Sequence, residues 1–313
     1  MSIVLGIDTS NYTTSAAIYV SENNIMLQQK QLLPVKDGEL GLRQSDAVFH
    51  HTRQLPDIMD ELLSQTDDRL TAVAASERPS QAEGSYMPCF LSGFGSARQI
   101  AAVMHLPLYR YTHQQGHVAA AAYGSDHTEL LEKEFIAFHV SGGTTDALIV
   151  RPDKNQMIYC QRVSGSLDLK AGQLVDRVGL MLGLAFPAGP ALEALALTAE
   201  GLYSPKPVLR DGWCSLSGIE NQCRDLLASG EPKAEIALFC LMSVLSAVDE
   251  MTSSLLVKYP KRPLLYAGGV MSNTIIRSHI ENRFGGYFAP PEYSSDNAAG
   301  IALLASIQTG RRS

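Results

Sequence analysis

Two histidines four residues apart, in His113-Gln114-Gln115-Gly116-His117, share one face of a helix, the spacing that brings two imidazoles to one metal ion. The Glu of an HExxH motif is missing, so a peptidase reading has no general base here. Taken alone, the pair suits two packed or solvated histidines better than a metal site. Ser141-Gly142-Gly143-Thr144-Thr145 places small residues between two apolar runs, where backbone N–H groups can approach a phosphate. An ordinary hairpin turn has the same composition. Ala267-Gly268-Gly269-Val270-Met271-Ser272-Asn273 ends a strand in two glycines just before a helix, which suits an anion at the helix N-terminus. It is neither a Walker A loop, since no Gly-Lys-Ser/Thr follows, nor a GxGxxG turn. Asp296, before the apolar run from Asn297, reads as a ligand or as a plain N-cap. Asp176 and the segment Gly189-Pro190-Ala191-Leu192-Glu193 could hold ribose hydroxyls, or could be surface charge and capping.

The elements that must position these residues come in two similar series. Ile3–Ile7 and Ser15–Val20 read as strands around a polar turn, with a third strand at Met26–Leu33. A helix interrupted by Pro follows over Ser45–Ser64, then a strand at Leu70–Ala75, a helix at Ser92–Met104, a strand at Leu106–Tyr111 and an Ala-rich helix at His113–Tyr123. The pattern then restarts with strands at Phe135–Val140, Ala147–Val150 and Met157–Val163. Helices follow at Ala171–Leu182, Ala191–Thr198 and Ile236–Tyr259, then strands at Leu264–Ala267 and Tyr287–Ala289 with a helix between them, and a last helix over Asn297–Gln308. Thr14-Ser15-Ala16-Ala17-Ile18 and Thr145-Asp146-Ala147-Leu148-Ile149 open the returning strand of each series alike. An internal duplication is the reading: an α/β chain with lobe I over residues 1–115, lobe II over 116–296, and a C-terminal helix, 297–313, packed back on lobe I.

Composition sets limits. The chain has 313 residues, about two domains at roughly 150 residues each. It is 45% apolar and 18% charged, enough for a sizeable core. A net charge of −7 argues against a generic nucleic-acid binder, although a partner could supply a basic surface. The five cysteines form no CxxC pair, which fits reduced thiols in a cytosol. Neither a signal peptide nor a membrane span is expected, and the expected location is cytoplasmic.

The order of the motifs is more specific than any one of them. Hairpin, HxxxH, SGGxT hairpin, Asp helix, GPxxE, GGVxxN and a late DNAA, together with Ser215-Leu216-Ser217-Gly218, resemble the TsaD (YgjD/Gcp) family of tRNA threonylcarbamoyl transferases from end to end. That resemblance implies the actin-like ATPase (ASKHA) fold, with two RNase-H-like lobes and a nucleotide in the cleft. It implies acyl transfer from threonylcarbamoyl-adenylate to a tRNA adenosine. It places Asp8 and Ser10 in the catalytic turn. His113, His117, Asp296 and His139 would be metal ligands, for iron or zinc. Ser141, Gly142, Gly143, Asp176, Gly189, Glu193, Gly268, Gly269 and Asn273 would contact ATP or the adenylate. The implied partners are a TsaB-like protein, a TsaE-like ATPase and tRNA, in a homo- or heterodimer without a membrane.

The chain departs from the family where acidic residues are expected. GIETSCDET is here Gly6-Ile7-Asp8-Thr9-Ser10-Asn11-Tyr12-Thr13-Thr14, HMEGH is HQQGH, and the stretch from Ser166 to Arg177 lacks an Asp and a Glu. Loss of charge at Tyr12 and Thr13 leads to the expectation that the chain replaces a standard enzyme poorly, unless Asp8 and Asp168 take over. The alternatives are a diverged paralogue with another acceptor and a non-catalytic nucleotide-binding scaffold.

Overall fold

The computed structural model describes residues 2–10, 12–34, 42–295 and 298–312. In chain order the elements are β1 (Ile3–Ser10), β2 (Thr13–Val20), β3 (Ile25–Leu32), α1 (Gln44–Leu63), β4 (Ala72–Arg78), α2 (Phe90–Met104), β5 (Leu108–Thr112) and α3 (His113–Gly124). Then come β6 (Phe135–Val140), β7 (Thr145–Asp153), β8 (Met157–Gly165), α4 (Ala171–Met181), α5 (Gly189–Ala196), β9 (Val208–Arg210), β10 (Trp213–Ser215), α6 (Ser217–Ala228) and α7 (Lys233–Lys258). The chain finishes with β11 (Leu264–Ala267), α8 (Thr274–Phe284), β12 (Tyr287–Phe288), α9 (Pro291–Ser294) and α10 (Ala299–Arg312). Two compact units result: Met1–Lys133 with Val150–Cys160 and Glu292–Ser313, and Glu134–Ile149 with Gln161–Pro291. The expected division after residue 115 falls inside α3, which clusters whole with the first unit.

The two five-stranded sheets have corresponding orders, β3-β2-β1-β4-β5 and β8-β7-β6-β11-β12. In the first sheet β1, β2 and β3 are antiparallel neighbours, and β4 and β5 add in parallel. In the second, β11 pairs in parallel with both β6 and β12. Every residue of β1 and β2 is buried, as expected for central strands covered on both faces. Ile3, Leu5 and Ile7 face Leu55, Ile58 and Leu62 of α1 in one core. On the opposite face α10 comes so close that a Cβ on Gly6 would meet Ala302 N at 2.7 Å. The same helix rests on α3, where a Cβ on Gly300 would lie 1.9 Å from Gly116 O. These two contacts require glycine and fix where α3 stands.

The core of the second unit gathers Ile136, Phe138, Ile149, Val178, Leu192 and Val244. Helix α7 is long and apolar enough to cross a membrane, but 67% of its most apolar stretch is buried in this unit. That is the behaviour of a core helix. All five cysteines are free and buried. The C-terminal helix begins at Ala299 rather than Asn297; Asp296 and Asn297 lie outside the described residues.

Candidate active site

In the first unit, the site begins where β1 ends. Asp8 is fully buried, and its carboxylate accepts a short hydrogen bond from the Ser76 hydroxyl of β4. Its other oxygen lies 3.0 Å from His113 Nδ1. A carboxylate only accepts, so His113 donates from Nδ1 and keeps a bare Nε2 when neutral. That Nε2 is 2.8 Å from His117 Nε2. Asp8 is thus the positioning group of the histidine pair, the arrangement in which a carboxylate orients a metal-binding imidazole. Ser10 lies two residues on, on the same side of β1 as Asp8. Its Oγ is buried and has no hydrogen-bond partner among the described residues.

Local sequence explains why α3 starts at His113. Thr112 and Gln115 form a capping box: Thr112 Oγ1 accepts from Gln115 N, and Gln115 Oε1 accepts from Thr112 N at 2.7 Å. The Gln115 amide also donates to Ile158 O at 2.6 Å. Gln115 of HQQGH therefore serves as a clamp. Among the described residues no cluster of three or more His, Cys, Asp or Glu forms a metal site. The convergence of two Nε2 atoms, with the second nitrogen of His113 already anchored, nevertheless fits a divalent cation.

The second unit brings three glycine-bearing segments together. Ser141 N donates to Thr144 O at 2.7 Å, and Thr144 N to Ser141 Oγ at 3.2 Å, closing the SGGTT turn. The start of α4 packs on that turn: Ala171 N donates to Thr145 Oγ1 at 2.8 Å, and Gly172 N to Ser141 O at 3.1 Å. Gly268, at φ 100°, presses on Val140, whose carbonyl oxygen would lie 2.2 Å from an added Cβ. Gly142, Gly143, Gly189 and Gly269, by contrast, have nothing within 4 Å of such a Cβ. Those four glycines leave open backbone, while Gly268 is needed for packing. The Oγ of Ser272 is buried without a partner among the described residues.

The acidic and amide residues named from the sequence have structural partners. Asp176 accepts from Ala188 N at 2.8 Å, and burial raises its pKa against that hydrogen bond. Glu193 accepts from Thr274 N at 2.8 Å and from the Thr274 hydroxyl, holding the start of α8. Asn273 caps the same helix through Ile276 N at 3.1 Å. His139 stands on β6 opposite Ala267, half-buried.

Asp168 binds the backbone N–H groups of Leu216 and Leu169 and the Ser217 hydroxyl. Burial alone would raise its pKa, but these donors hold it below the usual carboxylate value. Asp168 thus ties β10 to α6. Tyr12 is 36% exposed and Thr13 is buried.

A family model described as TsaD, tRNA N6-adenosine threonylcarbamoyltransferase, matches residues 24–303. The chain belongs to the TsaD family. Curated tRNA N6-adenosine threonylcarbamoyltransferases resemble it along nearly their whole length. The Fervidobacterium nodosum protein is 31% identical over 98% of this chain and 94% of its own. The Thermus thermophilus protein is 30% identical, covering 96% and 91%, and the Archaeoglobus fulgidus protein 26%, covering 96% and 89%. These relatives support an acyltransferase with tRNA as substrate; another acceptor or a scaffold role draws no support from them.

Solved structures agree on the fold alone. Full-length HypF superposes with a TM-score of 0.60 at 14% identity, over 99% of this chain and 46% of that one. The (R)-2-hydroxyglutaryl-CoA dehydratase component A of Acidaminococcus fermentans gives 0.54 at 14% identity, over 97% of both. The fold is the actin-like ATPase type.

Several participants escaped the sequence reading. Ser76 is 68 residues from Asp8 in sequence. His51, on the buried stripe of α1 with Leu55, Ile58 and Leu62, was visible as a polar interruption of that stripe.

Proposed function

We propose that this protein transfers the threonylcarbamoyl group from its adenylate to the exocyclic amine of an adenosine beside the anticodon of tRNA. The match to the TsaD family over residues 24–303 carries the proposal. In this reading the open backbone at Gly142, Gly143 and Gly269, with Ser141 and Gly268, holds the phosphate of ATP or the adenylate. Asp176, Gly189, Glu193 and Asn273 shape the nucleoside side, the existing hydrogen bonds of Asp176, Glu193 and Asn273 keeping the loops rigid. Backbone N–H groups fixed by that packing stabilise negative charge without reorganising.

His113 and His117 hold a divalent cation, iron or zinc by ligand type, and the family resemblance adds Asp296 and His139. Such an ion, when bound, polarises phosphate and carbonyl oxygens. Asp8 fixes the tautomer and orientation of His113. Ser10, with its unpartnered buried hydroxyl, offers one more hydrogen bond to a bound group. A weak amine nucleophile needs orientation more than a covalent intermediate, which agrees with a site built of positioning groups. A TsaB-like partner, a TsaE-like ATPase, a dimeric assembly and a cytoplasmic location complete the proposal.

A depletion–rescue experiment tests it. The chain is expressed with its TsaB-like partner in a host depleted of its own TsaD, and threonylcarbamoyladenosine in bulk tRNA is measured by mass spectrometry. Return of the modified nucleoside is the expected result, at a level below that of the host enzyme because Tyr12 and Thr13 carry no charge; its continued absence with soluble protein present overturns the proposal.

A further inference from the structure

The second unit carries an aromatic and cationic cluster that the residues assigned above do not use. Trp213, the one tryptophan of the chain, opens β10 and is half-buried. The Arg162 guanidinium lies over its ring, 4.7 Å from the centroid. Asp146 holds that guanidinium at 2.6 Å, and the exposure of the two side chains is unequal: 17% for Asp146 against 41% for Arg162. Burial raises the Asp146 pKa against the pull of Arg162 and Lys170. The carboxylate is thus turned inward, while the guanidinium keeps an accessible face.

Two further cations flank this stack. Arg210 is the cross-strand partner of Trp213 in the β9–β10 hairpin, so the two side chains stand on one face about 5 Å apart at Cβ. An Asp211-Gly212 turn with φ of 52° and 83° closes that hairpin. Lys170 Nζ reaches Ser166 O at 3.2 Å, and Ser166 is bridged to Cys214, the neighbour of Trp213. Neither Arg210 nor Lys170 forms a salt bridge among the described residues. Arg177 and Arg224 are bound to Glu220, Arg262 to Glu134 and Arg283 to Asp249. Arg277 pairs with Glu281, and Lys206, Lys233, Lys258 and Lys261 also lack a salt bridge among the described residues, but Arg162, Arg210 and Lys170 stand together beside the chain's one indole.

We propose that this cluster is where a single-stranded RNA loop meets the protein, one base stacking on the outer face of Arg162 and flanking phosphates meeting Arg210 and Lys170. Splayed bases of RNA loops stack on aromatic rings and guanidinium planes. A chain of net charge −7 must meet a polyanion where its cations are locally free. The cluster also adjoins the SGGTT turn, since Asp146 follows Thr145, which caps α4 at Ala171. The inference rests on the tRNA-transferase reading and locates the RNA on this chain.

The test uses the full chain and a dye-labelled anticodon stem–loop RNA. Anisotropy gives the affinity and its salt dependence, and intrinsic fluorescence reports on Trp213 without interference from another tryptophan. RNA should quench that fluorescence. Arg162→Lys keeps a cation for Asp146 but loses the plane, and should weaken binding about tenfold, the scale of one lost base stack. Arg210→Gln removes an exposed side chain and should reduce the slope of log K against log salt by about 0.7, the value for one phosphate of a single strand. RNA that binds without quenching, and equally to both variants, overturns the inference and leaves the transferase reading standing. RNA that does not bind the wild-type chain at all also overturns the inference, while the transferase reading is then decided by the rescue experiment with the partner present.

Discussion

Acidification from pH 7.5 to 5 should destabilise the first unit through His51. This side chain is fully buried, and its Nδ1 lies 2.8 Å from Thr14 Oγ1. The Thr14 hydroxyl has one proton, which goes to Gln54 Oε1 at 2.7 Å. The Gln54 amide cannot be turned the other way, because its Nε2 donates to Leu32 O at 3.1 Å. Nδ1 of His51 must therefore be the donor to Thr14, leaving Nε2 without its proton, and that nitrogen is buried with no hydrogen-bond partner among the described residues. Burial lowers the pKa from 6.5 to about 4, although Asp8 and the Ser10 backbone pull it upward; His50 adds a small downward push.

The sign follows from proton counts. Between pH 6.5 and about 4 the unfolded chain binds a proton that the folded one refuses. Stability is therefore flat above the window and falls as the pH drops through it, by up to about 1.4 kcal/mol per pH unit. At pH 5 the accumulated loss is about 2 kcal/mol. Urea unfolding at pH 7.5 and 5 measures it, with His51→Asn as the control, since the Asn amide can still donate to Thr14. If wild type loses no more stability than His51→Asn between the two pH values, the tautomer argument fails.

Two further substitutions discriminate between packing and binding roles. Gly268→Ala places a Cβ 2.2 Å from Val140 O at a φ of 100° and should cost roughly 2 kcal/mol or more in a thermal or urea melt. Gly269→Val meets nothing within 4 Å at its Cβ, so the protein should fold normally yet lose the rise in Tm that ATP gives the wild type. Asp8→Asn should leave the pair of histidines in place but lower metal affinity 10- to 100-fold, read by titration with zinc. Unchanged affinity would show that Asp8 does not orient His113.

Much of this architecture was legible because each series restarts with the same sequence of short apolar runs around a small-polar turn. The sheets observe that repetition strand for strand. What could not be read was whatever depends on distant partners. Glu193 suggested ribose, yet its hydrogen bonds are to Thr274, 81 residues away. Asn273 looked like part of a phosphate loop and also caps the helix after it. Helix α6 was missed although Ile219, Cys223, Leu226 and Leu227 stand at helical spacing and pack on the core of the second unit. The start of α3 was clear from composition, but the reason for it, the Thr112–Gln115 box, depends on a residue that was read only as the place of a missing Glu.

The contact between Gly300 and Gly116 has a consequence for the order of events during synthesis. Helix α10 leaves the ribosome after every other described element, yet it supports both β1 and the helix that bears His113 and His117. Ser2 and Ser306, whose hydroxyl oxygens are 2.6 Å apart, mark the same late closure. A nascent chain can build the second unit while the first still lacks one of its walls. The histidine face is set only once α10 has joined the first unit.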